Sequence, residues 1–96
     1  MKRHREESIG SLLMQFLREQ GLETPLLEFR IIQAWNQVAG PTVSRYTGQL
    51  YIREGILHVQ IKNPSLRQNL TMCQSELVNK LNKIATAKVI SAIHFF

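Results

Sequence analysis

Lys62 and Arg67 bracket the sequence Asn63-Pro64-Ser65. No other short stretch of the chain gathers as much binding chemistry. Asparagine followed by proline is a helix start, with Asn63 as the cap and Pro64 at the first helical position. Free N–H groups at a helix start attract anions, and two flanking cations strengthen that pull. Arg53, expected close by on the neighbouring sheet, extends the cluster. The chemistry implied is capture of a phosphate group, with no bond made or broken. Lys80, Lys83 and Lys88 add positive charge further along, and Lys2, Arg3 and Arg5 add a mobile contact at the start. These cations are the candidate nucleic-acid contacts.

Catalysis has no comparable support. The chain contains no aspartate, no Gly-x-Ser-x-Gly turn and no phosphate-binding P-loop, so nucleophile, base and metal all lack a source. Cys73 falls on an apolar stripe between Leu70 and Leu77, where cysteines are usually inert. His4, His58 and His94 lack the intervals of metal ligands. His58 and His94 are expected to be neighbours on a sheet surface. No catalytic residue, metal, cofactor or small-molecule substrate is therefore expected.

The 96 residues carry 12 Lys and Arg against 7 acidic residues, a net charge of +5. That balance suits nucleic acid, an acidic membrane surface or an acidic protein. The size and the 44% apolar content fit one small domain over residues 1–96, with residues 1–6 as a flexible tail. A lone cysteine excludes an internal disulfide and fits a reducing compartment. The charged start is not a secretory signal, and no run approaches the ~20 apolar residues of a membrane span. A cytoplasmic location is expected, with no membrane contact.

The elements that must position these residues follow from periodicity. Ile9, Leu12, Leu13, Phe16 and Leu17 line one face of a helix from Ser8 that stops at Gly21. A second helix starts at Thr24-Pro25, buries Leu27, Ile31, Ala34, Trp35 and Val38, and ends at Gly40-Pro41. A connector with a helical turn near Val43–Tyr46 leads to two strands, about Gln49–Arg53 and Ile56–Lys62, joined at Gly55. Alternation places Leu50, Ile52, Leu57, Val59 and Ile61 on one face. Tyr51 is the one aromatic expected on the other face of this hairpin. A third helix runs from Pro64 to about Asn82 with Leu66, Leu70, Cys73, Leu77 and Leu81 as its core stripe, and Glu76 and Lys80 form a supporting pair. Lys88–Phe96 reads as a strand with Val89, Ile93 and Phe95 inward. The order α-α-β-β-α-β predicts a two-layer α+β domain, a three-stranded sheet with helices on one face. The other face is left open to solvent or a partner.

On these elements the chain resembles the DciA family, accessory proteins of the bacterial replicative DNA helicase. The resemblance runs from about Ile9 to Phe96. It is carried by Trp35-Asn36-Gln37-Val38-Ala39-Gly40-Pro41 with Thr47, by Gly55-Ile56-Leu57-His58-Val59, by Ser65 and Leu70, by Leu81-Asn82 and by Ile93-His94-Phe95. It implies a KH-like fold and a non-enzymatic protein that engages the replicative helicase and DNA. Many relatives have histidine where Tyr46 stands and tryptophan where Leu66 stands. Many also have a long tail that this sequence does not include, and contacts made by such a tail are expected to be weaker or missing.

Two other readings remain beside the DNA-binding adaptor. One is a KH-like RNA-binding module, with the ribosome as its candidate partner; the other is a pure protein-interaction domain. KH domains grip nucleic acid with a Gly-x-x-Gly loop, and the glycines at 10, 21, 40, 48 and 55 do not form one.

Overall fold

Trp35 anchors the interior of the computed structural model, which describes the backbone of residues 2–96 and the side chains from Ile9 onward. The indole is fully buried, and a buried indole needs a partner for its N–H. Nε1 donates to Thr47 Oγ1 at 3.1 Å, and the Thr47 hydroxyl donates to the Val43 carbonyl at 2.8 Å. Trp35 and Thr47, both carriers of the family resemblance, are thus direct partners.

The elements run α1 (Lys2–Glu19), α2 (Glu23–Ala39), α3 (Pro41–Tyr46), β1 (Thr47–Arg53), β2 (Ile56–Ile61), α4 (Pro64–Met72), α5 (Gln74–Ala85) and β3 (Ala92–Phe95). This is the expected α+β order, with the connector turn formed as α3 and the long third helix divided into α4 and α5. The sheet order is β1-β2-β3, antiparallel between β1 and β2 and parallel between β2 and β3. Glu54 and Gly55 close the hairpin with φ of 53° and 77°. Two positive φ values in a two-residue loop define the type I′ turn, whose twist matches the strands.

Alternation then fixes the layers. Leu57, Val59, Ile61, Ile93 and Phe95 are buried beneath Ile31, Ala34 and Trp35 of α2 and Leu70, Leu77 and Leu81 of α4 and α5. The α5 helix packs on α2 and β3, and α4 packs on β2 and β3. All these apolar partners lie on one side of the sheet, as expected.

Four expectations need correction. Cys73 is exposed, not core. Its backbone (φ −109°, ψ 23°) leaves the helix, and its N–H returns to Leu70 O at 3.1 Å as in a tight 3₁₀ turn. The break reorients α5, so Val78 and Ala85 join Leu77 and Leu81 inside. The last strand is shorter than Lys88–Phe96, because Asn82 clamps the preceding loop. Its Oδ1 accepts the N–H groups of Val89 and Ile90 at 3.0 and 3.1 Å, and its Nδ2 donates to Ile90 O at 2.8 Å. Finally, α1 begins before Ser8, and its apolar face is uncovered, with Ile9 73% and Phe16 54% exposed. Its C-terminal end is tied to α2 by the Arg18–Glu23 ion pair at 3.0 Å, while Glu76 and Lys80 form no ion pair.

Candidate nucleic-acid interface

The junction of β2 and α4 does not hold the anion site that its sequence suggests. Asn63 Oδ1 caps the helix by accepting the Leu66 N–H at 3.0 Å, and the Arg67 N–H bonds to Asn63 O at 2.9 Å. Pro64 has no N–H. Among the described residues this leaves Ser65 as the one first-turn amide without a protein acceptor. Arg67 also turns inward: Nη2 donates to the Ile61 carbonyl at 3.0 Å, and Nε is buried without a partner. Arg67 is a strut from the end of β2 to α4.

Lys62 remains exposed beside this strut. Its N–H bonds to Tyr46 O at 2.9 Å, and its stem lies near Gly48 next to the Gln60 side chain. Gln60 Oε1 accepts the Gln49 N–H at 3.0 Å, satisfying an amide where the β1–β2 register shifts. A Cβ at position 48 would overlap that carboxamide, so a larger residue there would displace Gln60 from the Gln49 N–H. Arg53 is far from Lys62. It pairs with Ile56 at the hairpin turn, and the length of β2 separates the two cations by roughly 20 Å. The expected Arg53–Lys62–Arg67 cluster is not formed.

The cations of α5 do converge. Lys83 and Lys88 line one groove of about 620 Å³ with Gln74, Ser75, Asn79 and Asn82. Helical spacing alone does not bring Lys88 there. The loop after α5 does so: Thr86 adopts a left-handed cap (φ 61°), and its N–H and that of Ala87 return to Lys83 O and Asn82 O. The Asn82 clamp then fixes the rest of the loop. Lys83 also suits the negative end of the α5 dipole. Lys80 stands on the α2 side of the helix, where it and Lys83 border a second groove with Gln37, Val38 and Ile84. Ammonium, amide and hydroxyl groups without a carboxylate suit a polyanion's phosphates.

The open face of the sheet carries a second constellation. Tyr51, His58 and His94 occupy one transverse row, Tyr51 opposite His58 and His58 opposite His94. Tyr51 stacks on His58 (centroids 4.7 Å apart, 12° between planes), and His58 meets His94 edge to face with Nδ1 atoms 3.2 Å apart. One ring donates and the other accepts in that contact. Phe96 stacks on His94 at 5.8 Å and touches Tyr51 edge-on at 6.3 Å. The pairing of His58 with His94 agrees with the sequence. The expectation of one aromatic on the hairpin's open face holds for β1 and β2, but His94 of β3 and Phe96 just beyond it complete a four-ring cluster. The signal was available, since Ile93 and Phe95 inward imply His94 and Phe96 outward.

Lys2, Arg3, Arg5 and His4 lie outside the described side chains. Among the described residues, no His, Cys or Glu group is clustered to hold a metal, and no helix is long and apolar enough to cross a membrane. A family model described as "Dna[CI] antecedent, DciA" matches residues 8–95, nearly the whole chain. No curated protein matches it.

Proposed function

The chain belongs to the DciA family, and from that premise we propose that it is a non-enzymatic, DNA-binding adaptor of the bacterial replicative helicase. Family membership is the observation that carries this reading. Two surfaces support it physically. The Lys83–Lys88 groove, with Lys80 beside it, offers phosphate contacts without a facing carboxylate. The uncovered apolar face of α1, formed by Ile9, Leu12, Leu13 and Phe16, has the character of a protein-binding surface. On this reading the helicase takes the apolar surface and DNA takes the cations. The adaptor works by tethering, in the cytoplasm, with no cofactor or small-molecule substrate.

The test is a pull-down with the cognate helicase, joined to anisotropy titrations with single-stranded DNA, duplex and RNA at two salt concentrations. The adaptor reading requires helicase capture and salt-dependent DNA binding. Lys83→Ala and Lys88→Ala should each lower the slope of log K against log salt by about one. Failure to bind both helicase and DNA overturns the reading. Tighter binding of structured RNA with no helicase contact would move the chain to the RNA-binding class.

A further inference from the structure

We propose that the open face of the sheet is a base-stacking platform for single-stranded nucleic acid, centred on Tyr51 and His94. This rests on the DNA-binding reading above and deepens it by naming a site and a strand class. A solvated sheet face ordinarily alternates polar side chains outward, yet here aromatic rings from all three strands meet in one cluster. Tyr51 is 41% exposed and His94 is also exposed, so the cluster is not a buried core.

The charges around the rings suit the same ligand. Arg53 stands on the open face toward the hairpin turn, and Lys62 stands beyond the opposite end of β2. Gln49 and Gln60 lie between them, and no carboxylate shares the strand positions of this face. Aromatic rings flanked at both ends by cations match the chemistry of a nucleotide chain, with bases for the rings and phosphates for the cations. An acidic protein segment would use the cations but leave the rings without a matching group.

Strand class follows from geometry. Stacking needs the face of a base, which a paired duplex keeps inside its own stack. Every base has such a face, so the platform tolerates sequence. DNA and RNA single strands share this chemistry, and the test must separate them.

The experiment uses the full chain with labelled oligo-dT, oligo-rU and duplex DNA in anisotropy titrations at fixed low salt. The double variant Tyr51→Ala/His94→Ala should weaken single-strand binding by about tenfold or more and leave duplex binding within about twofold. Tyr51→Phe, which keeps the ring, should bind as the parent does. Equal loss for oligo-dT and oligo-rU assigns the platform to both strands, and loss for one assigns it to that one. Circular dichroism on each variant checks that the fold is intact. Unchanged single-strand affinity in the folded double variant overturns the platform while leaving the adaptor reading in place, and Tyr51→Phe as weak as the double variant overturns it too. A parent chain that binds only duplex overturns the platform alone, and one that binds none of the three probes removes the adaptor reading and the platform together.

Discussion

Along β2 the chain writes two different surfaces in alternate residues. Leu57, Val59 and Ile61 face the helices and are almost wholly buried. His58, Gln60 and Lys62 face away, among Tyr51, His94, Phe96 and Arg53. The covered side is aliphatic apart from Trp35, Phe95 and the half-buried Tyr46. The open side is aromatic and cationic, and its rings touch each other. One strand therefore divides its residues between stability and binding, and substitutions on the two sides should act on different quantities.

The largest effect belongs to the covered side. Trp35→Ala removes the ring packed at 6.1 Å from Phe95 and the N–H that Thr47 Oγ1 accepts. It should destabilise the fold by about 3–5 kcal/mol in urea unfolding, enough to threaten a domain of this size. Asn82→Ala should come next, at about 2–3 kcal/mol, since it removes all three hydrogen bonds that hold the loop before β3. Unlike Trp35→Ala, it should also loosen the Lys83–Lys88 groove and weaken duplex binding in the same titration series.

Arg67→Ala sharpens the contrast further. A strut should cost about 1–2 kcal/mol of stability and leave the salt slope of DNA binding unchanged. A phosphate contact should do the opposite, so one variant measured both ways decides its role. The smallest effect on stability belongs to the open side. Tyr51→Ala should shift unfolding by about 0.5–1 kcal/mol through its cross-strand stacking on His58, well below the covered-side variants. A loss as large as that of Trp35→Ala would erase the distinction between the two faces.

Much of this division was legible in sequence. The strand alternation, the burial of Trp35 and the helical turn at Val43–Tyr46 each follow from local pattern. Features that depend on distant partners were not. The apolar spacing of α1 reports amphipathicity but does not say what covers it. The stripe through Leu70, Cys73 and Leu77 assumes one straight helix. In the fold, Gln74 Oε1 accepts the Ile93 N–H at 3.0 Å from the far end of the chain, on the α5 side of the break. The anion site at Asn63-Pro64-Ser65 fails for a related reason: a strong cap occupies the amides that an anion would need. Lys88 joins Lys83 through the Thr86 cap and the Asn82 clamp, contacts that no residue spacing announces.

The most direct test is a single NMR titration of the isotopically labelled chain with oligo-dT, following backbone amides with the Tyr51, His58 and His94 rings and the Trp35 indole. The account expects the largest changes on the three rings and around Lys83 and Lys88, with the Trp35 N–H nearly still. Changes concentrated on α1 and α2, with the rings of the open face silent, would contradict it.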